Sequence, residues 1–218
     1  IVGRGEASYV QKLKRMCKQL HIEDNVELHS IRTFDEDGYG VWQDSGINYA
    51  IDNGADVINM STGVALVVNE KGETEFVAIE ENYYQAATYD YAHSRGITIV
   101  TAAGNTSDFS FDHAKFHPAV ISVGALDKDG KPAYWRFAEI GTSGLTPGSA
   151  ASFFANGEGY EVVESTDEIE GGTSFASPRV AAVVAEVKLK PANSFYDTNG
   201  NGRWDAPEVE FYIRININ

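Results

Sequence analysis

The segment Gly172-Thr173-Ser174-Phe175-Ala176-Ser177-Pro178 delivers a serine through a glycine turn onto the start of an apolar run of helical period. A hydroxyl placed there is surrounded by backbone N–H groups and the positive end of a helix, which favours a nucleophile that becomes an alkoxide and then faces an oxyanion. A serine before a helix is also the ordinary N-cap, so this segment alone leaves capping open. Asn105 follows Gly104 at the end of the apolar run Ile97–Ala103. A carboxamide at the end of a buried parallel strand sits where open α/β sheets collect ligands, and its N–H could point at an oxyanion; the alternative is a turn asparagine. A third set of residues has a different chemistry. Asp197-Thr198-Asn199-Gly200-Asn201-Gly202-Arg203-Trp204-Asp205-Ala206-Pro207-Glu208 matches the calcium loop at every side-chain ligand position. Oxygens would come from Asp197, Asn199, Asn201, Asp205 and Glu208, with the Arg203 carbonyl added and Gly202 allowing the sharp turn. An Asx-rich surface loop is the alternative there.

The elements that must hold these groups alternate along the chain. Strand-like apolar runs are expected over Asn25–Phe34, Ala55–Ser61, Ile97–Ala103 and Ala119–Leu126, the last three buried on both faces. Helical stripes cover Ser8–Leu20, Val41–Asn53 before Gly54, and Glu80–Arg95 before Gly96. A further helix is expected over Ser174–Val187, with Pro178 in its first turn and a small inner face from Ala176 to Val187. Asp127–Gly172 reads as loops with short hairpins, and Phe211–Asn218 alternates as an edge strand does. Strands alternating with helices predict an α/β fold, a three-layer doubly wound and mostly parallel sheet. Residues 1–190 would form that domain and 191–218 a tail carrying the calcium loop, with no flanking helices evident.

Composition narrows the function classes. The 218 residues, 43% hydrophobic and 22% charged, suit one globular domain with at most a small appendage. With 17 Lys and Arg against 32 Asp and Glu, the net charge of −15 repels phosphate backbones, so nucleic acid is not an expected partner. No apolar run is long enough to span a bilayer. Cys17 is the only cysteine, which excludes an internal disulfide and a cysteine-based zinc site. Ile1-Val2-Gly3 has neither the basic nor the apolar region of a signal peptide, so the chain is expected to be mature, cytosolic or cut from something longer. A calcium loop of extracellular-module affinity, together with the acidic balance, points to a secreted protein. Oligomeric state is not legible.

Four ordered blocks resemble the subtilisin-like serine peptidases. Gly172–Pro178 is similar to their nucleophile signature, Gly54-Ala55-Asp56-Val57-Ile58-Asn59-Met60-Ser61-Thr62-Gly63 to the strand entering the substrate edge, Gly96–Asn105 to the strand ending in the oxyanion asparagine, and His117–Ala125 to the next core strand. The likeness covers about Val26 to Lys190. It implies hydrolysis of peptide bonds through an acyl-enzyme at Ser174, with Asn105 as oxyanion donor and Ser61, Thr62, Gly63, Ala103, Gly104 and Thr173 binding an extended peptide or protein substrate by β-augmentation.

The family's aspartate and histidine have no counterpart in the sequence. Where the resemblance implies an Asp-Ser/Thr-Gly turn and a His-Gly-Thr-His helix start, the chain reads Ile1-Val2-Gly3-Arg4-Gly5 and then a helix without histidine. His21, His29, His93, His113 and His117 are each expected to be structural or solvated. Impaired turnover follows, with an inactive peptide-binding fragment or chimera as the rival. Ile1–Leu28 also looks like a strand–helix–strand unit of GT-B glycosyltransferases, although Ser8 replaces the third glycine of the phosphate-binding fingerprint. A nucleotide-sugar module is therefore a further alternative, and a strand beginning at residue 1 suggests a fused, truncated or artificial sequence.

Overall fold

The computed structural model describes residues 2–3, 14, 15, 18, 21, 23–33, 43–61, 66–68, 74–76, 82–103, 117, 119–131, 153–157 and 172–216. Three of the expected apolar runs make the centre of a sheet: β3 (Val57–Met60), β6 (Thr98–Ala102) and β7 (Val120–Leu126). They lie parallel, with Val57 opposite Thr98 and Ile99 opposite Val120. β1 (Val2–Gly3), β2 (Ile31–Arg32) and β8 (Phe153–Asn156) extend the sheet to six parallel strands in the order β2-β1-β3-β6-β7-β8. A separate antiparallel pair joins β4 (Leu66–Val68) to β5 (Thr74–Phe76), in a stretch where no strand was expected.

Alternation along the strands sorts side chains into two layers. Ile58, Met60, Ile99 and Val120 pack with Ile47 and Ile51 of α1 (Gln43–Asp52) and with Tyr89 and Ala92 of α2 (Asn82–Ser94). Val100, Ile121, Val123 and Ala125 pack with Ala176, Val180, Val184 and Val187 of α3 (Thr173–Lys188) and with Val209 and Ile213 of α4 (Ala206–Asn216). Helices thus cover both faces, and the three-layer doubly wound α/β architecture is as expected. Ile121 is fully buried at the middle of the second layer. Ile121→Ala should cost about 2–5 kcal/mol of stability, read as a lower urea midpoint with unchanged m.

α1 ends as expected at Gly54, where Ala55 N–H reaches the Ala50 carbonyl at 3.0 Å. α2 ends in the same motif, with Ile97 N–H on the Ala92 carbonyl at 3.0 Å and Gly96 at φ 71°. A Cβ at Gly96 would also meet Asp205 Oδ1 at 3.3 Å, so a side chain there would strain the left-handed backbone and press the Asp205 carboxylate back.

Four expectations are corrected. Of the strand placed over Asn25–Phe34, the described residues form only Ile31–Arg32, paired with Val2 and Gly3 of β1, after a 3-10 turn at Glu23–Asn25 that starts the segment in helical rather than extended backbone. Pro178 is the sixth residue of α3 rather than part of its first turn, so the helix forgoes the bond that residue 178 would donate to the Ser174 carbonyl. Within Asp127–Gly172, Phe153–Asn156 joins the main sheet as a parallel edge strand instead of forming a hairpin. Phe211–Asn218 is not an edge strand: α4 runs from Ala206 to Asn216 and buries Val209 and Ile213, one turn apart. Of the expected helix Ser8–Leu20, Lys14, Arg15 and Lys18 are helical and the rest lies outside the described residues.

Lys188, in the last turn of α3, donates from Nζ to the Gly96 and Trp204 carbonyls, both at 2.8 Å. It joins the α2–β6 turn to the loop before α4. Burial pushes its ammonium down from 10.5 to about 8, against the opposing pull of Asp56 and Asp205. Between those values the unfolded chain holds a proton that the folded chain has released. Stability contributed by this group therefore rises with pH across that window and levels off above it. Lys188→Met should abolish the rise, seen by comparing urea midpoints of the two proteins at pH 7.5, 8.5 and 9.5.

Candidate active site

The strand order reverses at β1, with β2 on one side and β3 on the other. Connections leave in opposite directions at such a point, and an open α/β sheet has its ligand crevice beyond the carboxyl ends of the adjacent strands there, here β1 and β3. Ser61 is the first residue beyond the carboxyl end of β3, which puts it on the side of the sheet where such a crevice lies. α3 packs across β3, β6, β7 and β8 and brings its first turn to the same place. Ser174 Oγ donates a hydrogen bond to the Ser61 carbonyl at 3.2 Å.

The turn that presents Ser174 is built from glycine contacts. Gly172 at φ 151° is the N-cap of α3, and no side chain makes a capping bond there. Its N–H reaches the Gly157 carbonyl just past β8 at 2.8 Å, and its carbonyl accepts the Phe175 N–H at 3.0 Å. Ser174 is therefore the second helical residue, not the N-cap, and the capping alternative falls. Thr173 is fully buried and Ser174 half-buried, so of the two hydroxyls it is the serine that opens to the crevice.

Ala103 is buried at the end of β6, where its N–H continues the ladder to the Val123 carbonyl at 2.9 Å. Thr62, Gly63, Gly104 and Asn105 lie outside the described residues, as does His113. The structure thus brings together Ser174, Thr173 and Ser61. Two residues that the sequence reading passed over sit directly beneath: Ser177 Oγ donates to Asn59 Oδ1 at 2.6 Å, and Asn59 Nδ2 donates to Ser61 Oγ at 3.0 Å. The available signal was an asparagine in the apolar run Val57–Met60, since Asn is depleted in strands.

Two of the described histidines have side-chain partners away from Ser174. His29 is exposed and pairs with Glu27 at 2.9 Å. His117 Nδ1 accepts the Ala119 N–H and its Nε2 donates to Asp90, each at 3.1 Å. His93 closes α2, and His21 occupies a turn at φ 56°.

At the other end of α3, Asp197 wraps its loop by accepting the Asn201 and Gly202 N–H groups at 3.0 and 2.9 Å. Asp205 Oδ2 accepts both Asn199 Nδ2 and, at 2.8 Å, Asn201 Nδ2. Glu208 receives Thr198 N–H at 2.7 Å on Oε1 and Asp205 N–H at 3.1 Å on Oε2. That last bond is the Glu208 half of a capping box for α4, and the Glu208 N–H itself reaches the Asp205 backbone carbonyl at 3.1 Å. Among the described residues no group of three or more His, Cys, Asp and Glu is placed to hold a metal ion. The donor chemistry nevertheless fits a hard cation. All the side-chain donors of the loop are oxygens, and Asn199 and Asn201 turn their Oδ1 atoms to the Asn201 and Arg203 N–H groups, at 3.0 and 2.8 Å, and their Nδ2 atoms to Asp205.

A model of the subtilase family matches residues 5–199. The chain belongs to the subtilase family. It is 30% identical to subtilisin DY of Bacillus licheniformis over 194 residues, covering 86% of this chain and 63% of that one. Subtilisin E of Bacillus subtilis (strain 168) is 28% identical, with 86% and 45% covered. The chain thus spans about half to two thirds of the length of these relatives. Among solved structures, a lanthipeptide protease overlays with a TM-score of 0.63 at 18% identity, covering 98% of this chain and 67% of that one, which speaks for the fold. A serine-to-alanine mutant of the protease domain of PatA overlays at 0.54 with 25% identity, covering 83% and 60%. The subtilase match begins at Gly5 and already includes most of the first strand–helix–strand unit, and nothing in these comparisons supports a glycosyltransferase. Among the described residues of this subtilase, no helix is long and apolar enough to cross a membrane.

Proposed function

We propose that this subtilase domain is built for serine-type endopeptidase chemistry on extended peptides, with turnover limited by the absence of the family's aspartate and histidine. The observation that carries the reading is Ser174 Oγ on the Ser61 carbonyl, at the crevice where the strand order reverses. A peptide would pair its backbone with Ser61, Thr62 and Gly63, flanked by Ala103, Gly104 and Thr173. Ser174 Oγ would add to the scissile carbonyl carbon while its proton passes to the departing amine. The oxyanion formed would be held by the first-turn amides and the Asn105 carboxamide, and water would then release the acyl group.

Labelling by a peptidyl phosphonate, mapped by mass spectrometry, tests this. Slow labelling confined to Ser174, and absent from Ser174→Ala, is the expected result. Peptide binding with no labelling at all would favour the second reading, a non-catalytic peptide binder. That reading is favoured by the histidines held at Glu27 and Asp90.

Residues 1–190 are read as the subtilisin-like domain and 191–218 as its tail, docked through Trp204, Val209 and Ile213. Calcium is proposed at Asp197, Asn199, Asn201, Asp205, Glu208 and the Arg203 carbonyl. When bound it would supply positive charge that orders the loop against Gly96 and Lys188. An affinity of the extracellular-module class would suit a secreted protein.

A further inference from the structure

We infer that Asn59 is a positioning residue that sets the spacing between the Ser174 helix and the substrate edge of β3. The inference rests on the peptide-cleft reading above. Ile58 and Met60 belong to the α1–α2 layer, so alternation turns Asn59 toward α3, where it is 4% exposed. A carboxamide buried among Val57, Val100 and the valines of α3 costs stability unless its polar atoms are bonded.

Both ends are used, and for opposite purposes. Oδ1 accepts from Ser177 Oγ at 2.6 Å, and Nδ2 donates to Ser61 Oγ at 3.0 Å. Ser177 lies three residues after Ser174, on the same helix face. Ser61 is the residue whose carbonyl receives Ser174 Oγ at 3.2 Å. The four residues therefore close a ring: Ser174 to Ser61, Ser61 to Asn59, Asn59 to Ser177, and one helical turn back to Ser174.

α3 cannot slide along β3 or turn about its axis without breaking two of these bonds. The ring also fixes the Ser61 side chain and, through it, the carbonyl that receives Ser174 Oγ. Asparagine suits the position because one planar group offers an acceptor at one end and a donor at the other. Aspartate would place two acceptors and a buried charge there, and leucine, of similar shape, would offer neither bond.

The experiment separates positioning from stability. Asn59→Leu alone strands the fully buried Ser177 hydroxyl and should lower Tm. Adding Ser177→Ala removes that stranded partner, so the double variant should recover most of the lost Tm. Affinity of the full chain for a fluorescein-labelled hexapeptide of alternating alanine and phenylalanine should stay about tenfold weaker, because the link to Ser61 is still missing. Ser61→Ala, which keeps the backbone and deletes only the hydroxyl, should show a similar loss of affinity, with a smaller fall in Tm than Asn59→Leu because the Ser177 bond is kept. It carries the test where the Asn59 variants fail to fold. Unaltered peptide affinity in the folded double variant, or in Ser61→Ala, would overturn the inference while leaving the cleft reading in place. Failure of the unsubstituted chain to bind the peptide would bring down the cleft reading, and this inference with it.

Discussion

The isolated chain should hydrolyse a chromogenic peptide about 10⁴–10⁶ times more slowly than a subtilase with its triad complete, a range that comes from triad deletions in subtilisin, itself a member of this family. The physical reason is the fate of the Ser174 proton. A serine hydroxyl attacks a carbonyl only as its proton leaves, and a carbonyl oxygen such as that of Ser61 accepts a hydrogen bond without accepting the proton. His117 has both ring nitrogens engaged, and His29 pairs with Glu27 at the surface. What remains is binding and the oxyanion contribution, so residual turnover should still fall in Ser174→Ala. Measurement of kcat/KM on the purified chain checks this. Turnover at an ordinary rate, abolished by Ser174→Ala, would show that a base reaches Ser174 from elsewhere in the sequence.

The second large effect concerns the loop before α4. Calorimetry should show one calcium bound with a dissociation constant of about 10⁻⁴–10⁻³ M, and Glu208→Gln should weaken it by about tenfold or more through loss of a bidentate carboxylate. Glu208 is 2% exposed and also caps α4, so this substitution alone mixes binding with helix stability. Asp197→Asn avoids the cap, and it too should weaken binding, with a smaller loss of Tm. No heat of binding up to about 10 mM calcium would dispose of the site and leave Glu208 as a cap on the first turn of α4 alone.

The parts of the fold that were legible are those in which local pattern and tertiary demand agree. Val57–Met60, Thr98–Ala102 and Val120–Leu126 are mostly apolar or small on successive residues because helices cover both sheet faces, with Asn59, Thr98, Thr101 and Ser122 as the buried polar exceptions. Gly54 and Gly96 marked helix ends because only a positive φ closes those turns. The C-terminus misled because Phe211 to Ile215 alternates in polarity, while the signal that decides is longer-ranged. Asp205 and Glu208 have capping-box spacing, and Val209 and Ile213 lie one turn apart, yet both acids had already been read as ligands. Short strands were poorly legible for a different reason. β1 and β2 consist of two residues each, and such pairing is specified by the neighbour rather than by the segment. In the candidate site, Ser174 was legible from its turn and helix. Asn59 and Ser177 were not, because their meaning lies in a bond between residues 118 positions apart.

A crystal structure of the chain with an extended peptide in the cleft tests the central claim most directly. The expected result is a peptide backbone paired along Ser61–Gly63, with Ser174 and the Asn105 side chain facing its carbonyl from opposite sides and separated by no more than about 8 Å, so that one oxyanion lies within reach of both. A structure with Ser174 and Asn105 on different faces of the molecule would contradict it.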